Sequence, residues 1–159
     1  MKHLVWIAAI LVATTAFARL GETETECDQR YGKPISQSVP KDLGDKEKEY
    51  SKNGVSVTVI FLHAKAAHIV YKKTGLSDAE VSSLLEANGG GWNAGYGGGD
   101  YDCWQRAGGA TAIYHHWRGH PEDHYTRSLG LSDGEYATES MKRYQEKEKA
   151  KVKNALAGF

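Results

Sequence analysis

The sequence predicts an α+β fold, in which an antiparallel sheet of hairpins and meanders carries short helices packed on it and a charged C-terminal helix. Several segments alternate apolar and polar residues with a period of two, as half-buried strands do. The turns between these segments are short, and hairpins outnumber the long crossovers that parallel strands need. A helix followed by a meander occurs twice, over 22–73 and over 77–129.

The first eighteen residues are typical of a secretory signal peptide. Met1–His3 is a short basic start, Leu4–Phe17 is almost wholly apolar, and Ala16–Ala18 is a small-x-small cleavage site. This apolar run is too short to cross a bilayer. The sequence therefore predicts an exported protein, periplasmic or extracellular, with no membrane span in the mature chain.

The remaining length and charge are those of an ordinary single domain. The whole chain has 159 residues with 20 basic and 20 acidic side chains. Without a basic excess, neither nucleic acid nor an anionic membrane is an expected partner. We expect one α+β domain over residues 19–135, a charged helical segment over 136–159, and another envelope or extracellular protein as the partner.

In the first half, local signals define a helix and three strands. Cys27 and Tyr31 lie on one side of the helix, and Gly32 ends it. Asn53-Gly54 is a hairpin turn, because both residues accept positive φ. The strand after it has one strongly apolar and one half-apolar face, which indicates a central position in the sheet. The expected elements are a helix over 22–31 and strands near 47–51, over 55–62 and over 67–73.

The second helix has the clearest signals. Ser77 and Glu80 form a capping box, and Leu76 with Val81 forms the matching hydrophobic staple. Gly89 supplies the left-handed stop. These signals predict a helix over 77–88.

The rest of the chain begins with a loop in which seven of eleven residues are glycine, over 89–99. Its glycines indicate a flexible connector. A Gly108-Gly109 turn and a turn over 119–122 then separate three short alternating segments. The expected elements are strands over 101–106, 110–118 and 123–129 and a charged helix over 138–156.

Several of these segments resemble known proteins. RYGKP at 30–34, LLEANGGGW at 84–92 and the closing GF at 158–159 resemble a group of short exported bacterial proteins that has no assigned activity. More distantly, YGKP at 31–34 and GLSDAEVSSLL at 75–85 resemble the helix signatures of the SmpA/OmlA and β-lactamase-inhibitor-protein superfamily. That resemblance implies short helices packed on an antiparallel sheet, and binding to other proteins without catalysis. It implies no functional residue.

Two cysteines, Cys27 and Cys103, follow the signal segment. An even pair in an oxidising compartment predicts one disulfide. The alternative is two free thiols, with Cys103 reactive.

The leading functional hypothesis is a non-catalytic binding or structural module without a cofactor. Trp92 and Tyr96 are aromatic residues on the glycine-rich loop, which suits them to recognition. Trp104 and Trp117 extend this candidate binding surface onto the adjoining sheet.

A metal-binding protein is the second hypothesis, because the segment 113–124 is rich in histidine. If Gly108-Gly109 forms a two-residue turn, Asp102 lies opposite His115. A further turn places His124 on the same face. Two histidines and one carboxylate would suit zinc or another transition metal.

Thiol hydrolysis is the third hypothesis. YGGGDYDC at 96–103 resembles the segment that leads to the nucleophile in NlpC/P60 cell-wall peptidases, which implies Cys103 as nucleophile. His115, His116 or His124 would then serve as its base. Trp104-Gln105 replaces the Ser-Gly of that family, and Cys103 falls on an expected strand. The leading hypothesis therefore assigns no catalytic residue.

Overall fold

The computed structural model describes residues 19–116 and 126–156, and within them the α+β prediction is confirmed. Eight strands form one antiparallel sheet in the order β1-β2-β3-β4-β8-β7-β6-β5. The strands are β1 Ser36–Ser38, β2 Lys46–Lys52, β3 Val55–Leu62, β4 Lys65–Thr74, β5 Asn93–Ala94, β6 Tyr101–Gln105, β7 Thr111–His115 and β8 Thr126–Ser132. The helices are α1 Glu24–Tyr31, α2 Asp78–Ala87 and α3 Gly134–Leu156.

The predicted repetition of helix and meander is also present. α1 precedes the meander β1–β4, and α2 precedes the meander β5–β8. The two meanders join through β4 and β8, which pair antiparallel with His68 opposite Ser132 and Thr74 opposite Thr126. Both halves therefore contribute to one continuous sheet.

Alternation along the strands divides the sheet into two faces. In β3, Val57, Val59 and Phe61 are buried while the residues between them are not. They belong to a core that also contains side chains of α1 and α2, so we call this side the helix face. The opposite side, which we call the open face, carries the intervening residues of each strand.

α1 is held to the helix face by both apolar and charged contacts. A capping box of Thr23 and Glu26 starts the helix. Tyr31 packs on Tyr50 of β2 at a ring-centroid distance of 5.2 Å. Lys48, which is buried, places Nζ 2.9 Å from a carboxylate oxygen of Asp28. This pairing lets a lysine occupy the core side of a strand.

α2 begins as the sequence predicts, with the Ser77 and Glu80 capping box in place. Val81, Leu84 and Leu85 are its buried residues. The hydroxyl of Tyr114 on β7 donates to the carbonyl oxygen of Leu76, which fixes the start of α2 to the second meander.

α3 begins four residues earlier than expected and lies against the open face. Asp133 caps it by accepting a hydrogen bond of 2.7 Å from the backbone N–H of Tyr136. The ring of Tyr136 then stacks on His68 of β4, with centroids 4.9 Å apart and planes 7° from parallel. Farther along, Arg143 donates to the carbonyl oxygen of Asp42, and Lys147 pairs with the Asp42 carboxylate at 2.6 Å.

The described part of α3 beyond residue 144 has exposed or half-exposed side chains throughout, so the helix extends past the sheet. Across the described ranges, no helix is both long and apolar enough to cross a membrane.

Candidate functional site

The main concavity of interest lies between α3 and the outer strands of the open face. We call it the α3 groove. Its volume is about 870 Å³. One wall is the open face of β6 and β7 with the tip of the glycine-rich loop, and the other is the first half of α3. The side chains that line these walls include Tyr96, Tyr101, Cys103, Ile113, Met141 and Tyr144.

The walls of this groove expose large apolar side chains. Tyr96 is 81% exposed, Tyr144 61%, Met141 57% and Ile113 41%. Isolated exposed apolar residues are ordinary on protein surfaces, whereas several around one concavity mark an interaction site. The charged group in its lining is Lys142, and the other polar groups are hydroxyls and amides such as Thr111, Gln105 and Gln145.

Strand register places the sheet wall. Tyr101 lies opposite His115, and Cys103 lies opposite Ile113. The residues between them, such as Tyr114, are buried on the helix face. Side chains alternate between faces along a strand, so Tyr101, Cys103, Ile113 and His115 all belong to the open face.

The glycine-rich loop is bound to β6 at its C-terminal part. Gly95 donates its backbone N–H to the carbonyl oxygen of Cys103 at 2.9 Å, and the Cys103 thiol donates to the carbonyl oxygen of Tyr96. A Cβ on Gly95 would lie 3.0 Å from Cys103 Sγ, and one on Gly97 would lie 3.0 Å from a carboxylate oxygen of Asp102. Glycine therefore permits the close approach that presents Tyr96 at the rim of the groove.

Two of the four predicted binding-surface residues come together, because Tyr96 and Trp104 both line the α3 groove. Trp92 is instead partly buried: its indole N–H donates to the carbonyl oxygen of Leu85 at 2.9 Å, and the Arg106 guanidinium lies 4.8 Å from its ring. Trp104 packs partly buried against the core, opposite the buried Ala112 of the helix face. Trp117 lies outside the described residues.

The predicted geometry of the metal cluster is wrong by one residue. The turn between β6 and β7 has three residues, because Arg106 donates its backbone N–H to the carbonyl oxygen of Ala110. Consequently Tyr101, rather than Asp102, lies opposite His115, and Asp102 and His115 are on opposite faces. His124 lies outside the described residues. Among those that are described, no three histidine, cysteine or acidic side chains are grouped closely enough to hold a metal ion.

The same register brings Asp102 to His116 instead. His116 has a side chain only 6% exposed, and its Nε2 lies 3.1 Å from Oδ2 of Asp102. Its backbone N–H donates to the carbonyl oxygen of Asp100 at 3.0 Å, and its ring meets Tyr114 edge-on at 5.4 Å. The contact with Asp102 lacks the alignment of a hydrogen bond, and neither ring nitrogen of His116 has another hydrogen-bond partner within the described residues.

The predicted Cys27–Cys103 disulfide is also wrong, because both thiols are free and they are not close to each other. Cys27 belongs to α1 and is fully buried in the core on the helix face, where burial raises the pKa of its thiol to about 12. Cys103 belongs to β6 and lies on the open face. The sheet therefore separates the two side chains.

Cys103 lies in the middle of a strand, without the helix N-terminus that activates many nucleophilic cysteines. His115 shares its face but is a diagonal neighbour, a relation that places side chains about 7 Å apart, beyond hydrogen-bond reach. This arrangement does not favour thiol hydrolysis.

Sequence reasoning missed the residues that form most of the groove. Met141 and Tyr144 belong to a segment that the sequence marks only as a charged helix, and Ile113 belongs to the histidine-rich segment considered for metal binding. The missing information was the position of α3 over the sheet. The Asp133 cap three residues before Tyr136 was the one local signal of where that helix starts.

No family model, no curated protein and no solved structure matches this chain significantly.

Proposed function

We propose that this protein is an exported, non-catalytic binding module that holds a segment of another envelope or extracellular polypeptide in the α3 groove. The observation that carries the proposal is the concentration of exposed apolar side chains on both walls of one groove. Tyr96 and Ile113 stand on one wall, and Met141 and Tyr144 stand on the other.

The size and chemistry of the groove suit a polypeptide segment. Its volume of about 870 Å³ is at the upper end of ordinary small-molecule sites, which are about 300–1,000 Å³. Such sites enclose their ligands, whereas Tyr96 and Tyr144 leave most of their own surface in solvent. The amides of Gln105 and Gln145 can hydrogen-bond peptide groups, while the aromatic and apolar residues bind side chains.

The absence of an activated nucleophile around Cys103, within the described residues, supports binding rather than hydrolysis. The N-terminal segment supports export, because its charge and apolar pattern are those of a signal peptide. The distant resemblance to the SmpA/OmlA and β-lactamase-inhibitor-protein superfamily agrees with the proposal, since it implies protein binding without catalysis.

The test is selection from a displayed library of random short peptides against the folded protein, followed by binding measurements with the selected peptides. We expect enriched peptides to be rich in apolar or aromatic residues and to perturb NMR amide signals of β6, β7 and the first half of α3. The double variant Met141→Ala and Tyr144→Ala should weaken binding at least tenfold, about 1.4 kcal/mol, because each side chain loses apolar contact with the peptide.

Ile35→Ala is the matched control. Ile35 is an apolar side chain that is 68% exposed and does not line the groove, so its replacement should leave affinity unchanged. Alanine favours helix, so none of these variants should unfold α3. Failure to enrich any peptide, or binding that is insensitive to the double variant, would overturn the proposal.

A further inference from the structure

Residues 141–154 of α3 carry an excess of positive charge, part of which is not paired within the described part of the fold. Between residues 141 and 154 there are six basic and two acidic side chains, a local net charge of +4 in a chain whose formal net charge is zero. Arg143 and Lys147 are engaged with Asp42, and Lys151 pairs with Glu148 at 2.6 Å. Within the described residues, Lys149 and Lys153 have no acidic partner.

These free lysines form a row with a residue of the groove. Lys142 lines the α3 groove, and Lys149 and Lys153 follow it at spacings of seven and four residues. Residues at such spacings share one side of an α-helix. Lys142 pairs with Glu139 at 3.6 Å, and Glu146 lies on the same side between Lys142 and Lys149. Among the residues that the structure describes, the unpaired positive charge therefore begins at Lys149, beyond the groove, and continues to Lys153.

Pairing within the helix accounts for Lys142, which contacts Glu139, but helix stability does not account for Lys149 and Lys153 together. Basic residues favour a helix C-terminus through the backbone dipole, but that effect is confined to the last turn. Lys153 is in that turn of α3, whereas Lys142 and Lys149 are one to three turns before it. Lys149 and Lys153 also repel each other as like charges four residues apart, which weakens an isolated helix.

We propose that the polypeptide bound in the α3 groove is acidic where it leaves the groove, so that its carboxylates meet Lys149 and Lys153 while its apolar side chains contact Met141 and Tyr144. This inference rests on the proposed function and adds the charge and direction of the partner. Charge complementarity of this kind raises the association rate and fixes orientation more than it raises affinity.

The apolar surface of α3 favours a peptide over a membrane. An interfacial helix needs a continuous apolar face along its length. Here Met141 and Tyr144 line the groove shared with the sheet, and Glu148 follows them on the same side of the helix. Beyond Glu148, Val152 is the one apolar side chain, among those that the structure describes, that is large enough to insert into a membrane.

The test compares a groove-binding peptide in two forms, one extended by Asp and Glu residues and one extended by Asn and Gln residues. We expect the acidic form to bind the wild-type protein about three- to tenfold more tightly at low salt, mainly through faster association, and the difference to vanish at high salt. The double variant Lys149→Gln and Lys153→Gln should abolish this difference. The variant Lys33→Gln and Lys65→Gln, which removes the same charge at exposed positions outside the groove, should retain it.

Equal affinity of the two peptides for the wild-type protein would overturn the inference and leave the proposed function standing, provided that both still depend on Met141 and Tyr144. Retention of the difference in the Lys149 and Lys153 variant would also overturn it. Binding to phosphatidylglycerol vesicles that is lost in the same lysine variant, without a preference for the acidic peptide, would replace the peptide with a membrane surface. The two lysines are exposed, so their replacement does not endanger folding.

Discussion

The contact between His68 and α3 makes the stability of the protein depend on pH. The Nδ1 atom of His68 lies 2.8 Å from the Ser132 hydroxyl oxygen, and its ring is covered by Tyr136. Burial lowers the pKa of His68 to about 4, although a backbone hydrogen bond at Leu131 opposes the shift. The protonated form of His68 is disfavoured because its charge would be buried between the sheet and Tyr136, with little water to solvate it.

The size of the effect follows from the two pKa values. An ordinary histidine has a pKa of about 6.5, so between pH 6.5 and pH 4 the unfolded chain binds a proton that the folded protein does not bind. The stability gained from neutral His68 is therefore complete above pH 6.5 and is lost as the pH falls towards 4. The full loss is about 3 kcal/mol, of which about 2 kcal/mol falls between pH 7 and pH 5.

Urea unfolding at pH 7 and pH 5 measures this loss, with His68→Gln as the control. Glutamine can hydrogen-bond Ser132 but does not titrate, so the variant should lack the His68 contribution to the pH dependence. An NMR titration of the His68 ring should give a midpoint close to pH 4. A midpoint near pH 6.5, or the same pH dependence in wild type and variant, would show that His68 is hydrated and that Tyr136 does not cover it.

Three further predictions concern separate features. In the native protein, iodoacetamide should modify the Cys103 thiol, while Cys27 should react only after unfolding, because it is buried and its pKa is raised to about 12. An intact mass lower by two hydrogens, as a disulfide would give, would contradict this. Gly44→Ala should destabilise the fold by about 2 kcal/mol or more, because φ is +116° and the new Cβ would lie 2.4 Å from a side-chain carbon of β3. Gly54→Ala is the control: φ is +76° but nothing lies near the new Cβ, so the loss should be about 1 kcal/mol. Equal losses in urea unfolding would refute the steric argument. Replacing His116 with Leu should lower the free energy of unfolding by about 1–3 kcal/mol, because the buried ring loses its 3.1 Å contact with the Asp102 carboxylate; urea unfolding that shows no loss would contradict this.

Local signals in the sequence were sufficient for α1, β3 and α2, but they did not predict the short strand β1. The strand over 55–62 was predicted with its observed bounds, because Asn53-Gly54 fixes its start and the alternation fixes its faces. The Ser77 and Glu80 capping box likewise placed the start of α2. In each case the determining interactions lie within a few residues of one another.

The register of β6 and β7 could not be settled in this way. Gly108 and Gly109 suit either a two-residue or a three-residue turn, since both adopt positive φ. With the extra residue, Ala107, in the turn, His115 lies opposite Tyr101 instead of opposite Asp102. His116 then takes the place of His115 on the face that carries Asp102. A single residue in the turn therefore decided which histidine faces the carboxylate.

The groove depends on contacts across the whole chain. His68 and Tyr136 are far apart in sequence, and no local pattern around either residue predicts that their rings stack. The sequence predicts the charged helix, but it does not show which surface of the sheet that helix covers. Trp92 was expected to be an exposed anchor because it lies on a glycine-rich loop. Its indole N–H instead donates a hydrogen bond to the C-terminal turn of α2.

The pairing of β4 with β8 has a consequence for how the chain folds. Hydrogen-bonded neighbours at the centre of the sheet, such as His68 and Ser132, are 64 residues apart. The loop-closure entropy of joining them must be overcome before the central contacts form, so folding should be slow compared with that of a helical protein of this length. Until the last strand arrives, the first meander has β4 as an unpaired edge that can pair with another chain. Residues 19–75 should therefore aggregate when produced alone and become soluble when residues 76–159 are supplied in the same solution.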